Sequence, residues 1–189
     1  LHADNNELSF DYTTNSTIDY MKGGIINADF SSFELLEGDA ISMKADYTIA
    51  HITKLNTLSF NNEFGELTLD SIANLKGNGE YLTIKIGALA ESMYIINEFG
   101  STRIDQVLPT ANSLQIDSEY TGIRIGFHPD WSFDYEVDLE FSKLKGKLEL
   151  NHLIKRDDGF ERFYQGYVGQ ANSGNNVQIS AEFGSVKFD

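Results

Sequence analysis

The segment NEFGELTLDSI, residues 62–72, carries a pattern that returns along most of the chain. An acidic residue followed by Phe or Tyr stands at Asp11-Tyr12, Asp29-Phe30, Asp46-Tyr47, Glu63-Phe64, Glu80-Tyr81, Glu98-Phe99, Glu119-Tyr120, Glu140-Phe141 and Glu182-Phe183. Successive aromatics lie 18, 17, 17, 17, 18, 21, 21 and 42 residues apart, and a steady period near 20 residues is the signature of a repeat architecture. Apolar residues stand six and four positions before the aromatic, as Ile41 and Met43, Leu58 and Phe60, Leu114 and Ile116, Tyr135 and Val137, or Val177 and Ile179. They stand again three and five positions after it, as Leu67 and Leu69, Ile84 and Ile86, Ile123 and Ile125, or Val186 and Phe188. Both runs alternate with period two, which predicts a strand on each side of a bend.

Two short strands with one apolar face each are too little to fold alone, and stacking the copies buries those faces together. The expected fold is therefore all-β, a right-handed β-solenoid of short 17–21-residue coils, right-handed because parallel crossovers are. Eight or nine coils at a strand spacing of ~4.8 Å would make a rod roughly 40 Å long. An antiparallel array of hairpins is the rival architecture. An outer-membrane barrel fits less well, because the outward positions are charged where lipid would demand an apolar band.

In this register the Phe/Tyr position is expected to form an inward stack and the acid before it to face outward. The position four after the aromatic also faces outward and is often basic, at His51, Lys85, Arg103, Arg124, Lys145 and Lys187. Like charges stacked on neighbouring strands cost a few tenths to about 1 kcal/mol per pair, so the basic row is expected to offset the acidic one across the bend. The repeat weakens at both ends. Within a single domain, residues 1–25 read as an N-terminal cap, 26–145 as regular coils, 146–176 as an irregular loop or cap segment, and 177–189 as a final coil.

Composition narrows the function. The 14 Lys plus Arg against 29 Asp plus Glu give a formal charge of −15, which repels nucleic acid and anionic lipid. No apolar run is long enough to cross a bilayer, so no direct membrane insertion is expected. Cysteine is absent, which removes disulfides, thiolate metal sites and thiol nucleophiles.

The motifs NEFGELTLDSI at 62–72, NEFGSTRID at 97–105, IDSEYTGIRIG at 116–126 and AEFGSVKF at 181–188 resemble those of the adhesin families of exported bacterial proteins of unknown ligand. That resemblance spans most of residues 26–145 and then 177–189. It implies a right-handed β-solenoid working outside the cytoplasm, in the periplasm or at the cell surface, and it brings no defined set of binding residues.

Chemistry is sparse. His2, His51, His128 and His152 are widely spaced, without a His-Glu-x-x-His or His-x-His arrangement, so no metal site is assigned. There is neither a Gly-x-Ser-x-Gly elbow nor a P-loop, and Gly77-Asn78-Gly79 reads as a turn. Glu136, Asp138 and Glu140 on one strand, and Asp157-Asp158-Gly159, are oxygen-rich without matching a calcium loop; a solvated acidic face is the expected reading. A carbohydrate-active β-helix protein, of the polysaccharide lyase or hydrolase type, is the alternative, with Glu98, Arg103, Asp105, Glu119 and Arg124 as its candidates. Recurrence of these residue types in most copies favours a structural ladder, so the chain is read as not an enzyme. Two aromatic stretches are the candidate binding loops: Phe127, Trp131 and Phe133 in the first, and Phe160, Phe163, Tyr164 and Tyr167 in the second. Folding back over the core is the competing expectation for both. The sequence thus points to a non-catalytic adhesin-like or scaffolding module, needing no cofactor, that presents a surface to a protein or glycan partner.

Overall fold

The computed structural model describes residues 6–189, so residues 1–5, the start of the expected cap and His2 with them, lie outside the described residues. In chain order the elements are β1 (Asn6–Asp11), β2 (Ser16–Asp29), β3 (Ser32–Glu98), β4 (Ser101–Val107), β5 (Ser113–Glu119), β6 (Gly122–Phe127), β7 (Phe133–Glu140), β8 (Leu144–Gly146), β9 (Asn151–Asp157), β10 (Glu161–Val168), β11 (Asn176–Glu182) and β12 (Ser185–Phe188). The described chain is all-β, without a helix, and its strands join in one open sheet that mixes parallel and antiparallel pairs.

Parallel pairing dominates and follows the sequence period. β1 pairs with β2 (Asn6 opposite Gly24), β2 with β3 (Ser16 opposite Phe33), β3 with β4 (Thr83 opposite Ser101) and with β5 (Ser92 opposite Ser113), and β4 with β6 (Ser101 opposite Gly122). β3 is one long extended run that bends at Tyr47, Phe64 and Tyr81, and its copies lie one above the next: a Cβ added to Gly65 would meet the Thr48 carbonyl, and one added to Gly87 the Asp70 carbonyl. Residues 6–25, expected to be a cap, carry this parallel pairing themselves.

The apolar positions before and after each bend make the core. Ile41, Met43, Leu58, Phe60, Leu114, Ile116, Val137 and Val177 are buried, as are Leu67, Leu69, Ile84, Ile86, Ile123, Ile125, Val186 and Phe188. Each such side chain stabilises the fold by about 1.5–3 kcal/mol relative to leaving it in water.

The aromatic row departs from expectation. All nine aromatics of the acid–aromatic pairs have φ between 48° and 52°, and all point outward. Eight are at least 40% exposed, Phe30 at 50% and Tyr47 at 52% among them, while Phe64 is half-buried. The reason is local: a left-handed residue ends strict alternation, so acid and aromatic both face out, between buried residues such as Ser118 and Thr121. Left-handed backbone costs a side-chain-bearing residue roughly 1–2 kcal/mol.

A polar corner inside several of the bends helps to hold them. The Thr48 hydroxyl donates to the carbonyl of Asp46 (2.9 Å) or Ala28 (3.0 Å) and accepts the Ser31 N–H (3.3 Å). Thr121 does the same between the carbonyls of Glu119 and Asn97 and the Gly100 N–H, and Ser142 accepts the Gly184 N–H at 2.8 Å.

The 42-residue gap in the period has a topological cause. β11 lies between β5 and β7, parallel to both, and β12 lies between β6 and β8, also parallel to both. The final copy, expected at an end, is therefore inserted between two earlier ones. The segment read as irregular supplies instead the antiparallel hairpin β9–β10, which lies on β7 and forms that end of the sheet.

Candidate functional site

The outward aromatics form one continuous ladder, in the order Tyr12, Phe30, Tyr47, Phe64, Tyr81, Phe99, Tyr120, Phe183, Phe141. Neighbouring ring centroids are 4.7–5.2 Å apart, with planes within 2–12° of parallel. Eight steps of strand spacing make a stripe roughly 40 Å long. Stacked pairs contribute about 0.5–1.5 kcal/mol each beyond area burial, which offsets the left-handed backbone. Within the stripe each ring face is covered by the next ring, so apart from Tyr12 at its end the stripe shows ring edges to solvent.

Beside the stripe runs the acid row. Asp11 pairs with Asp29, Asp29 with Asp46, Glu98 with Glu119, and Glu182 with both Glu119 and Glu140 in the strand register. The expected basic row does not neutralise it. His51 sits 3.0 Å from Asp70 and 3.5 Å from Glu34, Lys85 pairs with Glu66 at 2.8 Å, Arg103 with Asp105 at 2.6 Å, and Arg124 and Lys187 with Asp189 at 2.7 and 2.9 Å. These partners lie beyond the bend, on the cation's own copy for Arg103 and Lys187 and on a neighbouring copy for His51, Lys85 and Arg124. The Lys85 hydrogen bond, with its charge, holds the Glu66 carboxyl below its ordinary range, and Lys187 and then Arg124 do the same for Asp189. None of the nine acids of the row forms an ion pair among the described residues.

The predicted loops divide. Trp131 and Phe133 are 2% and 0% exposed, and Phe127 is half-buried. The indole N–H donates to the Ala111 carbonyl at 2.7 Å, and the rings pack on one another and on Phe188. This stretch carries the chain from β6 to β7 across the gap that β12 and β11 fill, and its aromatics plug the core there. It offers no open ring to a ligand. In the second stretch Phe160, 67% exposed, adds a tilted ring beyond Phe141 at 5.2 Å. Tyr164 is buried beside His152, Phe163 lies under Arg156, and Tyr167 is half-buried.

Tyr135, a core residue, places its hydroxyl 2.8 Å from His152 Nδ1 and so links β7 to β9, and burial pushes its pKa up to about 12. Gly166 between them leaves the hydroxyl its room. The carbohydrate-active candidates fall into two groups: Glu98 lies opposite Glu119 before the bend, whereas Arg103 lies opposite Arg124 beyond it, the two arginines engaged by Asp105 and Asp189. Asp157 and Asp158 are used by their own turn, accepting the Gly159 and Glu161 N–H groups, and Asp157 also pairs with Arg162. The ladder was missed because the inward parity of the strand before the bend was extended to the aromatic itself, with the change of parity placed after it; nine aromatics each fixed beside an acid were the available signal.

Comparison with protein-family models, with curated proteins and with solved structures found no match.

Proposed function

We propose that this chain is a non-catalytic, adhesin-like or scaffolding module, exported to the periplasm or cell surface, whose working surface is the aromatic–acidic ladder. The same proposal reads the parallel copies as a right-handed β-solenoid closed at one end by the β9–β10 hairpin. The in-register pairing at 17–21 residues supports it.

The observation that carries the functional reading is the uncompensated acid row beside an exposed stripe of ring edges. Stacked like charges cost stability, and nothing in the fold requires an acid at every copy. A partner that supplies cations repays that cost. Sugar recognition by stacking uses open aromatic faces, and here neighbours cover the faces, so the surface suits a basic, extended protein segment better than a glycan. Ring edges carry the positive side of the aromatic quadrupole, which leaves the carboxylates to attract the cations while the rings supply apolar contact.

The test compares the wild-type chain with Tyr47→Asn/Tyr81→Asn, Asn being a residue that tolerates left-handed backbone. Immobilised protein is exposed to decalysine and to a glycan array, with circular dichroism confirming the fold. The reading predicts salt-sensitive decalysine binding that the double variant loses. Glycan binding that survives loss of the ladder rings would overturn it.

A further inference from the structure

The insertion of β11–β12 carries an inference independent of the ladder. Its slot is walled by β5–β6 on one side and β7–β8 on the other, and both walls precede β11–β12 in sequence. Both walls thus precede their filler along the chain, and the filler holds them two strand spacings apart. Most filler contacts are of the kind any copy of the repeat makes: main-chain bonds such as Tyr120 N–H to the Glu182 carbonyl (2.9 Å) and Phe183 N–H to the Glu140 carbonyl (3.0 Å), and burial of Val177, Ile179, Val186 and Phe188, to which the side chains add Arg124 with Asp189 (2.7 Å) and Ser113 with Asn176 (3.1 Å). The slot therefore recognises a strand–bend–strand unit of this sequence without regard to which chain supplies it.

The connection from β10 to the filler is residues 169–175, mostly exposed, with Gly169, Asn172 and Gly174 at positive φ. It is tied down by the Gln170 N–H to Ser132 Oγ, the Asn172 N–H to Asp134 Oδ1, and Asn175 Nδ2 to the Ser132 carbonyl. An opened connection would forfeit few contacts, and an exchanged filler would regain all the others.

We propose that the slot is a strand-binding site for residues 175–189 of a second copy, so that copies exchange this segment and associate through it. The connection decides which chain fills the slot. β10 and β11 flank β7, so Val168 and Asn176 are separated by about two strand spacings, ~9.6 Å. A chain lacking residues 169–174 has only two Cα steps for that span, at most ~7 Å. Its own filler cannot reach, whereas a second copy's can.

The lack of cysteine makes the test direct. Ser180 lies opposite Asp138 in the β11–β7 register, both side chains exposed, at a spacing of ~4.8 Å that a disulfide can bridge. Full-length Ser180→Cys and full-length Asp138→Cys are refolded together at high concentration and oxidised, beside a control pair of Ser180→Cys with Ser42→Cys, and beside one chain carrying both Ser180→Cys and Asp138→Cys. Exchange predicts a disulfide-linked heterodimer in the first mixture well above the control pair, and the 169–174 deletion variant running at twice the monomer mass with wild-type circular dichroism. Cross-linking confined to the doubly substituted chain, with the deletion variant monomeric, would overturn the proposal. Failure of the double variant to cross-link would overturn the slot register itself.

Discussion

Trp131 separates a core plug from a binding loop. Trp131→Phe keeps an aromatic ring among Phe127, Phe133 and Phe188 but removes the N–H that reaches the Ala111 carbonyl at 2.7 Å. Ala111 is itself buried, so its acceptor loses this donor, at a cost of about 1–3 kcal/mol. Trp131→Ala also empties the site, and large-to-small changes of this kind cost about 3–5 kcal/mol. At roughly 2–4 °C per kcal/mol for a chain of this size, the Phe variant should melt about 2–12 °C lower and the Ala variant lower still. The assay is urea unfolding followed by far-ultraviolet circular dichroism, since the only tryptophan is the residue being removed. Both variants unfolding within ~0.5 kcal/mol of wild type, the range of an ordinary surface change, would refute the core assignment.

Thr121→Val preserves shape while removing a hydroxyl that bonds the Glu119 and Asn97 carbonyls and the Gly100 N–H; urea unfolding should show a loss of about 1–3 kcal/mol, against little change for the exposed Thr17→Val. In an alkaline titration read by phenolate absorbance, Tyr135 should ionise late, near pH 12, and Tyr135→Phe should diminish that late step, which the buried Tyr164, also raised, shares. Because its folded pKa is raised by burial, the stability it contributes is fully present below about pH 10 and is lost as pH rises toward 12, so stability to urea should fall across that window, and fall less in Tyr135→Phe.

The repeat, the bends and the buried positions were legible from the spacing of residues such as Leu58, Phe60, Leu67 and Leu69, because period-two alternation follows directly from strand geometry. Orientation of the aromatics was not: Phe64 and its counterparts take a left-handed backbone that only glycine or asparagine normally advertises. The destination of Phe183 was equally hidden, since its motif matches the others and nothing in its spelling says that it enters between Tyr120 and Phe141. Trp131 was misleading for the same reason. Its loop spans a gap that exists only because β11 and β12 return to fill it.

Glu63→Gln/Glu80→Gln tests most directly the claim that the acid row is kept for a partner at the expense of the fold. The substitutions relieve repulsion with Asp46 and Glu98 as well as between the two residues themselves, three neighbouring pairs worth about 0.2–1 kcal/mol each at low salt. Thermal unfolding and decalysine binding are measured on the same preparation, and the account predicts a higher melting temperature together with weaker binding. A variant that melts lower than wild type and binds decalysine as before would contradict it.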